Sequence, residues 1–427
     1  MPPRFHLLIA TQCVAALADN ALLIVTIGLL QRMAEPAWWV PLLKLLFVSL
    51  YVVLAPALGP MADAWPKARL MMAANLIKLL GVLCMLMGLS PLLAFLVVGL
   101  GSALYAPAKY GLITEQVEPG LLVRANAWLE VSVVGAVLGG TVLGGFLVRE
   151  AVVRAVATSS AGPEGAATWV ATRVLDSGLA PSLVVVLGLY VVSQLLNMGV
   201  RCSGLRHAIT SWQLQSLWVA FWRDNHTLRR DSLGGLSLAL TVLCWGAGAV
   251  LQLAVLRWAV DVLGLGLDQA AYVQAVVAVG MVVGAVCAGR WVTLSAVPRL
   301  VPLGIALGLL VMAGRLIDSV TLALPLLAAV GVVGGALIVP MNALLQHRGY
   351  TLLTAGRSVA LQGFNENAGV LVMLALYALG LRVGLDSVVL LTGLGATLVL
   401  GSGWLWARWA RRGAAALAAA SASTPSN

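Results

Sequence analysis

The sequence predicts an all-α membrane protein whose helices cross a lipid bilayer about twelve times. Of its 427 residues, 61% are hydrophobic and only 10% are charged, whereas soluble domains carry about 25% charged residues. The mean hydropathy is +0.99. Apolar runs of about 20 residues, long enough to span a hydrocarbon core of about 30 Å, recur from the first residues to Trp409. These runs leave no room for a soluble domain between them.

Breakers between the apolar runs divide the chain into six spans, a polar stretch and six further spans. The predicted spans lie near 7–30, 38–61, 69–89, 91–113, 125–148, 179–200, 233–260, 270–293, 299–317, 321–345, 358–381 and 386–407. The predicted domains are an N-terminal half at 1–200, a cytoplasmic connecting loop at 201–231, a C-terminal half at 232–412 and a disordered tail at 413–427.

The distribution of basic residues predicts that both termini are cytoplasmic. With this orientation the outer loops hold about half as many Lys and Arg residues as the inner loops, as expected because basic loops stay inside. Residues 149–176 then form an external loop. The first apolar run is too long for a signal peptide and is followed by another, so Met1–Leu30 is predicted to remain as the first helix. The basic residues predicted to lie in the cytoplasmic loops and the C-terminal tail are Lys67, Arg69, Arg124, Arg201, Arg206, Arg223, Arg229, Arg230, Arg290, Arg299, Arg348, Arg357, Arg408, Arg411 and Arg412.

Composition and motifs argue against several other classes of protein. The net charge of +10 does not indicate nucleic-acid binding, because the basic residues are scattered at helix ends rather than gathered on one face. No P-loop or metal-binding cluster occurs, so no cofactor and no metal are predicted. The five cysteines lie in apolar runs without CxxC spacing, which predicts packing rather than disulfides or metal binding: Cys13, Cys84, Cys202, Cys244 and Cys287.

A single sequence offset of 233 residues aligns features of the two predicted halves, as an internal repeat would. It matches prolines, arginines and mid-span polar residues of the first half with similar residues of the second. The matched pairs are Pro107 with Pro340, Arg124 with Arg357, Asp19 with Gln252, and Lys109 with Asn342.

The loop between the second and third spans carries a recognisable motif. From Gly59 to Arg69 it reads Gly-Pro-Met-Ala-Asp-Ala-Trp-Pro-Lys-Ala-Arg. Together with two six-helix halves it resembles the major facilitator superfamily, in which a glycine, an aspartate four residues later and a basic cluster brace the cytoplasmic gate. The resemblance implies gating roles for Asp63, Lys67 and Arg69. The basic residue that normally follows the aspartate is Ala64 here.

Ionisable groups at membrane depth cost roughly 2.5–3.5 kcal/mol each on insertion scales, so each one suggests a function. Asp19, Lys109 and Glu366 fall within or at the start of predicted spans, and Asn365 and Gln252 are polar residues of the same regions. We predict these five as substrate-binding residues and no catalytic residue. Lys44 and Lys78 are left unassigned, because long lysines near helix ends commonly reach the interface with their stems in lipid. Arg257 beside Trp258 fits interfacial anchoring.

A cavity that offers a cation and carboxylates suits a zwitterion, with Lys109 for a phosphate and Asp19 or Glu366 for an ammonium group. A sugar carrier needs hydroxyl and amide donors with aromatic platforms, but aromatic residues make up only 6% of the chain. The largely apolar surroundings therefore favour a lipid-like cargo.

The chain also resembles the bacterial lysophospholipid transporters of the major facilitator superfamily over nearly its whole length. The matching segments are Ala18 to Leu23, Ala55 to Asp63, Tyr105 to Gly111, Trp245 to Gly248 and Val339 to Gln346. The resemblance places Asp19, Lys109 and Glu366 in the family's polar cavity. This chain departs from the family in having Gln252 where the family has an arginine, which bears on head-group selectivity.

The resemblance implies that the protein moves lysophospholipids across a bacterial inner membrane, toward the cytoplasm, by alternating access. The implied cargo is chiefly lysophosphatidylethanolamine, moved from the outer to the cytoplasmic leaflet, where a partner acyltransferase restores the missing chain. One alternative is a major facilitator exporter of drugs or small metabolites, since fold does not fix function. Another is a membrane acyltransferase, because His226 and Asp231 form a His-x4-Asp motif. That class needs a soluble domain for which the spans leave no room.

Overall fold

The structure is a computed structural model that describes residues 3–35, 39–149, 178–200, 204 and 213–422. Throughout these ranges the chain is helical or forms short connections, with no β-strand. Most of the predicted external loop at 149–176 and part of the polar stretch after Val200 lie outside the described residues. Cys202, Arg201 and Arg206 lie outside them too.

The helices follow the predicted spans closely. Their bounds are α1 Pro3–Arg32, α2 Trp39–Val53, α3 Ala55–Ala64, α4 Lys67–Leu86, α5 Pro91–Gln116, α6 Leu122–Val148, α7 Ala180–Met198, α8 Leu214–Arg230, α9 Ser232–Asp261, α10 Leu267–Trp291, α11 Pro302–Ala313, α12 Val320–Leu352, α13 Ala355–Arg382 and α14 Ser387–Ala422. Ten of the described helices are long and apolar enough to cross a membrane, and two bent pairs raise the number to as many as twelve. The prediction of an all-α membrane fold is confirmed.

Two predicted spans are bent rather than straight. The second span is divided into α2 and α3, which meet at 64°, and the ninth consists of the 3-10 helix Leu294–Leu300 followed by α11, bent by 43°. In each bent pair the second helix begins with a proline in its first turn, Pro56 in α3 and Pro302 in α11. Proline lacks an N–H group and suits the first turn of a helix, so a break just before it costs little.

Helix also occurs where the sequence analysis predicts none. The predicted connecting loop contains α8, and α14 continues to Ala422 through residues 413–422 of the predicted tail. Seven of the ten residues from Gly413 to Ala422 are alanine, counting Ala414–Ala416, Ala418–Ala420 and Ala422. Alanine has the highest helix propensity, so this segment can continue a helix that is already formed.

The contacts divide the chain into two compact units. Unit 1 comprises Met1–Val117, Val131–Trp218 and Ala355–Ala360, and unit 2 comprises Glu118–Glu130, Val219–Thr354 and Leu361–Asn427. These units differ from the predicted halves at the starts of α6 and α13. The first turns of these two helices contain Arg124 and Arg357, the arginines that the 233-residue offset matches. The match supports an internal repeat.

In unit 2, α10 and α12 pack at unusually short range. A Cβ atom on Gly284 would lie 2.0 Å from the carbonyl oxygen of Val332, and one on Gly335 would lie 2.2 Å from that of Met281. A Cβ atom on Gly280 or on Gly331 would likewise lie too close to a backbone carbonyl oxygen of the opposite helix. Membrane helices associate mainly through such close packing, because lipid tails are as apolar as the side chains. The four glycines therefore hold these helices together.

In unit 1, α4 shows how polar side chains become buried. Leu76, Leu80 and Leu83 form one face and are 42–54% exposed, whereas Asn75 and Lys78 lie on the other face and are at most 1% exposed. In lipid the apolar face can remain on the surface and the polar face must find partners inside the protein. This arrangement directs Lys78 into the interior of unit 1.

Candidate functional site

Asp19 lies at the centre of a buried polar cluster in unit 1. Lys78 Nζ is 3.0 Å from Asp19 Oδ1 and 2.8 Å from Oδ2. The hydroxyl of Tyr190 donates to Oδ1 at 2.5 Å, and that of Ser102 donates to Oδ2 at 3.4 Å. The cluster joins α1, α4, α5 and α7, and its charges balance to zero.

Lys78 is the residue of this cluster that the sequence analysis missed. Its side chain is only 2% exposed, whereas that of Asp19 is 23% exposed, so Lys78, which the sequence analysis leaves unassigned, does not reach the interface. The rings of Tyr105 and Tyr190 lie 5.2 and 5.8 Å from its Nζ. The available signal was Asn75 one helical turn earlier, because the two polar residues share a face of α4.

Lys109 lies on α5 in the same unit, just after Pro107. It is only 9% exposed, so it does not extend into solvent. Its Nζ lies 4.1 Å from the centre of the Tyr110 ring, within the range of a cation–π interaction. Lys109 is therefore a buried cation on an aromatic face.

Unit 2 carries its own polar network at the start of α13. Gln362 Nε2 donates to Glu366 Oε1 at 2.9 Å and to Asn342 Oδ1 at 3.1 Å. Asn342 is the residue that the repeat matches with Lys109. The structure thus brings Glu366 together with a residue of α12 that the sequence analysis named only through the repeat.

The two remaining predicted residues differ from each other in surroundings. Asn365 is buried, accepts a hydrogen bond from Arg229 at 2.5 Å and donates to Asn225 at 3.2 Å. Gln252 is exposed on α9, and its side chain has no hydrogen bond to any residue in the described ranges. Arg257 is also exposed and pairs with Asp261 at 3.2 Å, so it does not take the place of the arginine missing at Gln252.

The motif between α3 and α4 forms a compact buried arrangement within unit 1. Asp63 accepts hydrogen bonds from the N–H groups of Gly356 at 2.7 Å and Arg357 at 3.0 Å, at the start of α13. A carboxylate is well placed there because N–H groups at a helix start lack partners and carry partial positive charge. Gly59 is needed for this approach, since a Cβ would lie 2.9 Å from the Cα of Arg357.

Lys67 completes this arrangement. Its Nζ lies 2.6 Å from Glu115 on α5 and 3.9 Å from Asp63, and the side chains of Lys67 and Glu115 are at most 1% exposed. Arg69, in contrast, is exposed. Sequence analysis did not identify Glu115, because nothing in the chain order connects it with Lys67.

The His-x4-Asp motif is not arranged as a catalytic pair. His226 is exposed on α8. Asp231 accepts two hydrogen bonds from Arg348, at 3.0 and 2.5 Å, and one from Gly234 N–H at 2.7 Å, which caps α9. Burial raises the pKa of Asp231, but these hydrogen bonds and the charge of Arg348 outweigh it and lower the pKa overall. Among the described residues, no three His, Cys, Asp or Glu side chains are grouped to hold a metal.

The geometry is that of a helical membrane protein with buried charges, and comparisons with known proteins identify its class. The family model of the Major Facilitator Superfamily matches residues 8–351. The fold is similar to that of a bacterial homologue of the iron transporter ferroportin, with a TM-score of 0.69 and 16% identity over 96% of this chain and 100% of that one. It is similar to FucP, a Major Facilitator Superfamily transporter, with a TM-score of 0.69 and 12% identity over 94% and 98%.

More similar relatives narrow the family. The chain is 36% identical to the lysophospholipid transporter LplT of Klebsiella pneumoniae (strain 342) over 405 residues, 95% of each chain. It is 37% identical to LplT of Escherichia coli O1:K1 / APEC over 407 residues, again 95% of each. The chain belongs to the major facilitator superfamily and, within it, to the family of these lysophospholipid transporters.

Proposed function

We propose that the chain moves lysophosphatidylethanolamine and related lysophospholipids from the outer to the cytoplasmic leaflet of a bacterial inner membrane. The names of its relatives support this cargo. The observation in the molecule that carries the proposal is the Asp19–Lys78 ion pair, which lies within two apolar spans. Such a pair is costly in a membrane and indicates a functional site.

The ion pair suits a zwitterionic head group. Asp19 already accepts bonds from Lys78, Tyr190 and Ser102, so a lone cation would have to compete with Lys78 for the carboxylate. A phosphoethanolamine group brings both charges. Its ammonium can take the place of Lys78 on Asp19 while its phosphate pairs with Lys78, so neither protein charge is left alone.

Lys109 in unit 1 and, separately, the predicted residues of unit 2 are proposed as further residues that contact the head group of the cargo. Lys109 offers a second buried cation to a phosphate, and Glu366 offers a carboxylate to an ammonium group. Asn365 and Gln252 are the proposed polar contacts that remain. The uncharged Gln252, where the resembled family has an arginine, favours a head group without net negative charge.

Reacylation of the cargo requires a partner enzyme. A lysophospholipid has lost one acyl chain, so a lysophospholipid acyltransferase at the cytoplasmic face would consume what the transporter delivers. The proposed orientation has both termini in the cytoplasm, with the basic residues of the inner loops supporting it.

The central test is transfer of lipid between leaflets. We expect the purified protein, reconstituted in liposomes, to speed the loss of labelled lysophosphatidylethanolamine from the outer leaflet, measured by extraction with albumin. Empty liposomes and the same assay with a labelled diacyl phospholipid are the controls. A folded protein that gives no acceleration would contradict the proposal and favour an exporter of drugs or small metabolites.

We further propose that alternating access depends on Asp63, Lys67 and Arg69. Asp63→Asn leaves one oxygen acceptor for the two N–H groups of α13 and removes the charge, and a charge-assisted hydrogen bond contributes about 1.5–3 kcal/mol. We expect transport to fall roughly tenfold or more. A second readout uses a cysteine placed at the buried Ser358 in a chain lacking other cysteines. We expect this cysteine to react faster with thiol reagents when Asp63→Asn is present than when Asp63 is intact.

Asp318→Asn is the matched control, because Asp318 is exposed and the change removes the same charge. Equal transport and equal cysteine reactivity in the two variants would remove Asp63 from the proposed gate.

A further inference from the structure

Unit 2 contains a groove that shares one lining residue, Asn365, with the contacts proposed for the head group of the cargo. It lies between α9, α13 and α14 and has a volume of about 740 Å³, within the roughly 300–1,000 Å³ typical of ligand sites. Its walls include Leu238, Val242, Val372 and Met373. Val372 is 59% exposed, as is Trp404 at the rim. An open apolar groove on membrane-spanning helices is accessible to acyl chains.

Two arginines, Arg229 and Arg408, line the groove together with two tryptophans. Arg229 is the penultimate residue of α8, and its hydrogen bond is to the neutral side chain of Asn365. The guanidinium of Arg408 lies 5.1 Å from the centre of the Trp404 ring. Among the described residues, no carboxylate pairs with either arginine. The groove therefore carries two positive charges that no nearby acid neutralises.

We propose that this groove binds an anionic phospholipid, with its phosphate between Arg229 and Arg408 and one acyl chain along the apolar wall. Planar guanidinium groups bind phosphate oxygens through paired hydrogen bonds. Trp404 and Trp409 suit the boundary between head groups and chains, where tryptophan is enriched. In the proposed orientation both arginines lie at the cytoplasmic side, where basic pockets between helices meet anionic lipid. The bound lipid is not the cargo.

Lipid binding can be measured without transport, so this proposal and the proposed function can fail separately. The purified protein in neutral detergent is titrated with phosphatidylglycerol while its thermal unfolding is followed, since a ligand of the folded state raises Tm. We expect Arg408→Gln to raise the half-maximal concentration of phosphatidylglycerol at least tenfold. Arg411→Gln, which removes the same charge from an exposed residue of the same helix outside the groove, should leave it unchanged.

Three further arms test the ligand and the groove. Phosphatidylcholine and inorganic phosphate should each give little stabilisation. Equal stabilisation by phosphatidylcholine would show that the head group is not recognised, and equal stabilisation by phosphate would show a site for free anions; either result overturns the proposal. Ala368→Phe fills the groove while keeping both arginines and should abolish the response to phosphatidylglycerol. An unchanged response in Ala368→Phe or Arg408→Gln would show that the lipid binds elsewhere.

Discussion

Replacing Asp19 by Asn is expected to abolish most transport and to lower the amount of folded protein in the membrane. The substitution leaves Lys78, whose side chain is 2% exposed, without its counter-ion. Removing one partner of a buried ion pair typically costs about 3–5 kcal/mol, because the remaining charge is unpaired. Membrane abundance, thermal stability and lipid transfer should all fall, whereas the exposed control Asp318→Asn should change none of them.

The double variant Asp19→Asn with Lys78→Met separates stability from function. It removes both charges, and neutral replacement of a buried pair is often harmless to folding. We expect abundance and thermal stability to recover and transport to remain at least tenfold reduced, because neither charge of the head group then finds its partner. Full transport by a well-folded double variant would show that the pair is structural and that the head group binds elsewhere.

The spans could be predicted because membrane thickness imposes a length on every apolar helix. Bends depend on more than local sequence. Pro107 and Pro340 lie inside continuous helices, whereas Pro56 and Pro302 begin new ones after a bend. A proline inside a helix leaves one carbonyl without its hydrogen bond, whereas a proline in the first turn leaves none, and packing against other helices decides which of the two occurs.

The candidate site was only partly predictable for a similar reason. Asp19 and Glu366 could be selected because a carboxylate inside an apolar span is costly wherever it lies. Their neighbours could not, because Lys78 is 59 residues from Asp19 and Glu115 is 48 residues from Lys67 in the chain. Such pairs are set by how helices pack, and a single sequence records only the face on which a side chain lies.

Substitution of Gly335 is expected to cause a large loss of stability in unit 2. A methyl group at this position would lie 2.2 Å from the carbonyl oxygen of Met281 and 3.0 Å from the N atom of Ala285, both backbone atoms of α10. Neither can move aside without separating the helices. Overpacking of this kind typically costs about 1–3 kcal/mol, and more where backbone must shift. Gly335→Ala should lower Tm, and Gly335→Leu should prevent accumulation of folded protein.

The adjacent Gly334 gives a closely matched control, since a Cβ atom there would meet nothing within 4 Å. Both glycines lie in α12, so alanine improves helix propensity by up to about 1 kcal/mol at either position. Gly334→Ala should therefore keep or raise Tm while Gly335→Ala lowers it, as measured by thermal unfolding in one detergent. If the two alanine variants unfold alike, the close approach of α10 and α12 does not stabilise unit 2. A loss confined to Gly335 would instead show that this backbone contact, rather than helix propensity, holds the two helices together.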